Sequence, residues 1–310
     1  MEVKKMKKIS LSMVFVVILG LVLSLTVMAS GKTIGVSLLT REHQFYRDLE
    51  EGLKEKANQY GYELIVTSGD FDLAKQSSQL SDFISRGVEA IIVCPVDSRG
   101  IGSSIAQAND AGIPVFTADI ANFSDQGKVI SHVASDNTQG GRVAGELMIA
   151  GLKEKGKFDS DNIQVAIINH PAITSVLDRV KGFKEVMDKY ENIEIVADIP
   201  AWGQRANAMA VMEDLLIRIP GLDGVFGIND DSALGAVAAL EGAGIINDVV
   251  VIGYDATPEA REAIANGKIY GDAMQNPKVI GETTIDAINK HFNDQSVDSL
   301  IPVEVGPYTK

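Results

Sequence analysis

Four polar side chains follow runs of residues that read as β-strands. Asp119 comes after residues 113–118, Asn229 after 225–228, Asp255 after 250–254 and Gln275 after 270–274. Side chains so placed project at the carboxyl edge of a sheet, where open α/β folds bind their ligands. Carboxylate, carboxamide and hydroxyl chemistry go together, so such a group suits a small molecule rich in hydroxyls. The local alternative is that a polar residue after a strand only caps the helix that follows. Either reading suits any one of them, but four on two sheets that could face each other favour a shared cleft. The first strand-to-helix turn reads Leu39-Thr40-Arg41-Glu42-His43-Gln44-Phe45-Tyr46, with aromatic and hydrogen-bonding side chains where a nucleotide enzyme would place glycines.

Enzyme signatures are missing. There is no Gly-x-Gly-x-x-Gly after the first strand, no phosphate-binding loop, no Gly-x-Ser-x-Gly and no His-Glu-x-x-His. Gly242-Ala243-Gly244 reads as a helix stop. The histidines His43, His132, His170 and His291 are scattered, and metal binding has no support in their spacing. No cofactor is expected, and the single cysteine, Cys94, excludes an internal disulfide.

These residues need elements to hold them. From Thr33 the chain alternates β-branched runs with amphipathic stretches: strands over 33–38, 62–67, 90–93 and 113–118, and helical stripes at Leu49, Leu53, Ala57 and Tyr60, at Leu80, Phe83 and Ile84, and at Ile101, Ile105 and Ala108. Gly61, Gly87 and Gly112 end those helices at steps of 26 and 25 residues, one strand-helix unit per step. A second set follows Asp136, with strands over 163–169, 193–199, 224–228, 249–253 and 269–273. Its helices start near Gln139, Thr174, Arg205, Ser232 and Pro258, and a last helix over 277–292 precedes a short strand over 301–305. The expected fold is α/β, two similar doubly wound parallel-sheet lobes joined by a hinge.

The chain has 310 residues, 28 basic and 42 acidic, for a formal charge of −14. Lys4, Lys5, Lys7 and Lys8 precede an apolar run over 9–27 that ends Val27-Met28-Ala29, which reads as a secretory signal peptide over 1–29. An uncleaved anchor is the alternative, since about 20 apolar residues span a bilayer. Without the leader's four Lys and one Glu, the formal charge falls to −17, which sets nucleic acid aside as a partner. No cysteine near the cleavage position offers a lipid attachment point.

Several stretches, taken in order, carry a resemblance. They are Gly87-Val88-Glu89-Ala90-Ile91-Ile92-Val93 with Pro95 and Asp97; Ala111-Gly112-Ile113-Pro114-Val115 with Asp119; and Ala134-Ser135-Asp136-Asn137 with Gly140-Gly141. They continue with Arg179 before Gly182-Phe183, Asn229-Asp230 before Ala233-Leu234-Gly235-Ala236, and Gly253-Tyr254-Asp255 with Pro258. The chain resembles periplasmic sugar-binding proteins of the ribose-binding type, receptors of ABC transporters, over residues 32–310. The resemblance implies a first lobe of 32–134 plus 276–304 and a second of 135–275 plus 305–310. It implies a monomeric, periplasmic, non-enzymatic receptor that takes a monosaccharide or sugar alcohol and delivers it to a permease. A receptor for a sensor kinase or chemoreceptor would share the same pocket, and a sugar-sensing repressor would need a DNA-binding segment where this chain has a leader.

By the same resemblance Phe45 and Tyr46 flank the sugar ring and Trp202 lies beneath it. Asp119 accepts from two hydroxyls, Arg179 donates from the second lobe, and Asn229, Asp255 and Gln275 complete the polar ring. Three positions depart from the ribose-receptor pattern: His43 and Cys94 stand where Asn is usual, and Ile120 where an Arg is. These departures lead to the expectation of a less polar edge in the first-lobe pocket and of a ligand other than ribose.

Overall fold

Left-handed glycines punctuate the first half of the chain. Gly61 (φ 73°) closes helix α1 (Gln44–Tyr60), and Gly87 (φ 66°) closes α2 (Leu73–Arg86). Gly112 (φ 77°) follows α3 (Gly102–Asp110) by two residues. At these φ values a Cβ is strained, which is why glycine stands there. The computed structural model describes residues 31–310; the leader and its cleavage position at Ala29 lie outside the described residues.

Residues Thr33–Lys310 form one compact unit built on two six-stranded sheets. The first holds β1 (Thr33–Leu38), β2 (Glu63–Ser68), β3 (Ala90–Val93), β4 (Val115–Ala118), β5 (His132–Ser135) and β11 (Leu300–Val303), in the order β11-β5-β4-β3-β1-β2 and all parallel. The second holds β6 (Ile163–Asn169), β7 (Ile193–Pro200), β8 (Gly224–Gly227), β9 (Val250–Asp255), β10 (Gly271–Met274) and β12 (Gly306–Tyr308). Its order is β12-β10-β9-β8-β6-β7, parallel except where β12 runs against β10. The winding β2-β1-β3-β4-β5 is repeated as β7-β6-β8-β9-β10. The connections reverse direction between β1 and β3 and between β6 and β8, and ligands collect beyond the carboxyl ends at such switch points.

This is the expected architecture of two parallel α/β lobes. Helices α4 (Asn137–Glu154), α5 (Thr174–Met187), α6 (Arg205–Arg218), α7 (Asp230–Gly242) and α8 (Pro258–Ala265) belong with the second sheet. Helix α9 (Pro277–Phe292) returns to pack on α1, β4 and β5. The chain thus passes between the lobes after β5, after β10 and between β11 and β12. Central strands carry fully buried Ile91, Ile92, Val93, Val165 and Ile167, each such side chain contributing about 1.5–3 kcal/mol.

Two strands escape the sequence reading. β5 is only four residues long and opens on a polar His132, and β12 is three residues with Pro307 at its centre, a residue tolerated only at a sheet edge. The last strand expected over 301–305 is β11 (Leu300–Val303) of the first sheet, and β12 follows it into the second.

Candidate functional site

The first lobe supplies an aromatic wall. The turn after β1 and the start of α1 bring His43, Phe45 and Tyr46 to the cleft, anchored by buried Leu49, Leu53 and Ala57 on the inner face of α1. The Phe45 and Tyr46 rings meet edge to face at 5.2 Å, and the His43 ring lies 5.4 Å from Phe71 in the loop after β2. At the end of β4 the chain makes a tight γ-turn. Ile120 N–H donates to the Ala118 carbonyl at 2.7 Å around Asp119, whose φ is 65°. That conformation is costly for a non-glycine residue, and it aims the Asp119 carboxylate into the cleft. Tyr46 Oη donates to Asp119 Oδ2 at 2.6 Å, while Oδ1 is buried with no partner.

The second lobe supplies a polar wall centred on Arg179 of α5, which is 5 % exposed. Its Nε donates to Asn137 Oδ1 at 2.8 Å and its Nη1 to the Ile228 carbonyl at 2.9 Å. The guanidinium lies over the Tyr254 ring at 4.0 Å. Two glycines set the position of α5: a Cβ on Gly141 of α4 would fall 2.0 Å from the Arg179 carbonyl, and one on Gly182 would fall 2.0 Å from the Thr138 carbonyl. Backbones this close need glycine on both sides, and a 4.6 Å stack of Phe183 on Phe226 holds the other face of the helix. Arg179 Nη2 stands 4.0 Å from Asp119 Oδ1 and Nη1 stands 4.0 Å from Asp255 Oδ1, so the cation bridges the lobes at long range. Gln275 Nε2 donates to Asp255 Oδ1 at 2.6 Å, and Gln275 Oε1 is a second buried acceptor without a partner. Asn229 serves both readings offered for it: Oδ1 caps α7 through Ser232 N–H at 2.9 Å, Nδ2 donates to the Gly203 carbonyl at 3.1 Å, and the residue lines the cleft.

Burial dominates the electrostatics. It pushes the Asp119 carboxyl up against the pull of Arg179 and the Tyr46 hydrogen bond, and pushes Asp255 up further, with Asp230 adding to the rise. Burial opposes the Arg179 cation, but Tyr254, Asp255, Asp119 and Tyr46 around it outweigh that and raise its pKa. His170 is lowered to about 4 by burial, then by His43, and His43 is lowered by burial too, so both imidazoles are neutral at pH 7. Behind the polar wall, the carboxyls of Asp230 and Asp272 are both raised, by burial and by their proximity to each other or to Asp255.

The cavity between the walls measures about 40 Å³. It gathers His43, Phe45, Tyr46, Asp119, Arg179, Asn229, Asp255 and Gln275. Three expected residues are elsewhere. Cys94 and Ile120 are fully buried in the first-lobe core and off the cavity wall, so they line no less polar edge. Burial raises the Cys94 thiol, and the Asp119 carboxylate adds to the rise. Trp202 is 46 % exposed at φ 60° and packs edge-on against His170 at 5.6 Å, while the neighbouring Gly203 lines the cavity in its place. Leu39, Phe71, His170, Ser175 and Val176 are lining residues that the sequence reading did not place in the site. Among the described residues no group of His, Cys, Asp and Glu is placed to hold a metal ion.

Comparison with known proteins identifies the family. The model of the periplasmic binding protein domain family matches residues 34–296. The ribose import binding protein RbsB of Escherichia coli K12 is 31 % identical over 300 residues, 97 % of each chain. The D-apiose import binding protein of Actinobacillus succinogenes is 32 % identical over 260 residues, 84 % of this chain and 81 % of that one. An ABC transporter solute binding protein from Bacillus halodurans, crystallised with myo-inositol, superposes with a TM-score of 0.81 at 31 % identity, covering 90 % of this chain and 95 % of its own. These relatives are solute-binding transport proteins, not enzymes. The chain belongs to the periplasmic binding protein family.

Proposed function

We propose that this chain is an extracytoplasmic receptor for a neutral sugar or sugar alcohol, which it holds between its lobes and delivers to an ABC-type permease. The observation that carries the reading is a pair of buried, unpartnered acceptors, Asp119 Oδ1 and Gln275 Oε1, facing a cavity that also holds the Arg179 guanidinium and the Phe45, Tyr46 and Phe71 rings. An unmatched buried polar atom costs about 1–3 kcal/mol, and a ligand hydroxyl relieves it by donating. Aromatic faces meet the C–H faces of a ring. The long Arg179 separations from Asp119 and Asp255 leave room for a hydroxyl to bridge them. The relatives named for ribose and apiose, and the one seen with myo-inositol, point to the same class of ligand.

The three chain crossings after β5, after β10 and between β11 and β12 would serve as the hinge, dividing the lobes as 32–134 plus 276–304 and 135–275 plus 305–310. Export through the leader over 1–29 would place the receptor in the periplasm. The test is calorimetric titration with D-ribose, D-apiose, myo-inositol and ribose 5-phosphate. A neutral polyol binding at micromolar Kd or tighter, with the phosphate refused by the carboxyl-rich cavity, is the expected result. Failure of all three neutral ligands, or preference for the phosphate, overturns the reading.

A further inference from the structure

Helix α5, which carries Arg179, has no cap from its own lobe. Its N-cap position is Ile173, whose side chain makes no capping hydrogen bond. The first helical N–H finds an acceptor across the cleft instead: Thr174 N–H donates to Ser98 Oγ at 3.1 Å. Ser98 sits in the loop after β3 of the first lobe and is 2 % exposed. Further contacts join the same two points. Ser98 N–H donates to the Ala172 carbonyl at 3.2 Å, Ala121 N–H donates to Thr174 Oγ1 at 3.1 Å, and the two hydroxyls lie 3.4 Å apart. Ala121 stands two residues after Asp119, and Thr174 five before Arg179. The contact therefore joins the turn that aims one charged cleft group to the helix that carries the other.

We propose that Ser98 and Thr174 form a closure-dependent clasp, in which one lobe caps the helix of the other only when the lobes meet. Both are positioning residues: neither lies among the side chains that face the cavity, yet together they hold the Asp119 turn and α5 in one arrangement. The inference rests on the reading of a ligand held between the lobes. Parting the lobes strips Thr174 N–H, Ser98 N–H and Ala121 N–H of their partners, which water then replaces. The clasp thus favours the closed form by contacts independent of the ligand's identity, and it acts on escape of the ligand more than on encounter. This goes beyond the pocket, since changing the clasp alters how long a ligand stays and leaves its chemistry of recognition alone.

The experiment compares association and dissociation rates of D-ribose, D-apiose or myo-inositol, whichever binds the wild type, by stopped flow. Ser98→Ala removes the cap acceptor, and Thr174→Val keeps the shape but removes Oγ1. Each is expected to raise the dissociation rate about two- to thirtyfold, the range spanned by loss of an N-cap, with association within about twofold. Thr174→Ser is expected to match the wild type, which a merely steric role for Thr174 does not explain. Unchanged dissociation in both Ser98→Ala and Thr174→Val overturns the clasp. Should none of the three sugars bind, the sugar reading fails and the clasp is decided separately by mild oxidation of the Ser98→Cys/Thr174→Cys double variant. Cross-linking of the folded protein, in which native Cys94 is buried, supports it. Absence of the cross-link overturns it.

Discussion

The two walls of the cleft are built on opposite plans. In the first lobe, Leu39, Phe45, Tyr46 and Phe71 offer area, and the only charged group, Asp119, is tied to its own wall by Tyr46. In the second, Arg179, Asn229, Asp255 and Gln275 hold one another or their own backbone at fixed distances. A ring's C–H face is recognised by contact over an area, with no preferred direction, whereas a hydroxyl is recognised along a hydrogen bond. On the proposed reading, the first wall would therefore read the ligand's shape and the second the arrangement of its hydroxyls.

That division can be broken most forcefully at Arg179, the one cation between the walls. Arg179→Met leaves Asp119 and Asp255 facing each other uncompensated and strips donors from Asn137 Oδ1 and the Ile228 carbonyl. Losing one partner of a buried charge set costs about 3–5 kcal/mol, so titration with the best-binding sugar is expected to show a loss of more than a hundredfold. A loss below tenfold would place recognition in the first wall.

Tyr46→Phe keeps the aromatic area and removes only the donor to Asp119 Oδ2. The expected cost is about 1–3 kcal/mol in affinity, measured by the same titration. An unaltered affinity would mean that area is all the first wall contributes.

Asp272→Asn probes the support behind the second wall, which has no counterpart in the first. The Asp272 carboxyl is raised to about 7 by burial. A raised carboxyl contributes stability fully below its unfolded pKa near 4 and loses it as pH climbs through the folded value. Wild-type stability should thus fall by up to about 1.4 kcal/mol per pH unit from this group between pH 4 and 7. Denaturant unfolding at pH 5 and pH 7 is expected to show a flatter dependence in the variant, and an equal slope would mean that burial does not raise the Asp272 carboxyl.

Trp202→Ala should matter least. The ring is half exposed and off the cavity wall, so affinity is expected to change by less than about 0.5 kcal/mol. A larger loss in titration would return Trp202 to the wall.

Much of this was legible in the sequence, for identifiable reasons. Gly61, Gly87 and Gly112 mark helix ends because left-handed backbone demands them, and the fully buried strands announce themselves as apolar runs. The polar residues after strands led to Asp119, Asn229, Asp255 and Gln275. The same rule applied to β6 leads to His170, so that residue had a signal that went unused. Phe71 had none: it follows an edge strand and turns inward through a φ of 62° that no local pattern announces. Trp202 and Gly203 differ by one residue, and which of them faces the cleft depends on the left-handed turn at both. Ile120 follows Asp119 and Cys94 follows β3, but both side chains are fully buried in the core, which their places in the sequence do not announce.

The buried carboxyls also change how the whole molecule looks from outside. A sequence charge of −14 counts every Asp and Glu as ionised, yet burial raises Asp119, Asp230, Asp255 and Asp272 above the ordinary carboxylate range, so each holds its proton more tightly in the folded chain than in the unfolded one. As pH falls, the folded chain therefore takes up protons at these residues before the unfolded chain does, and over that range it migrates in an electric field as the less anionic of the two.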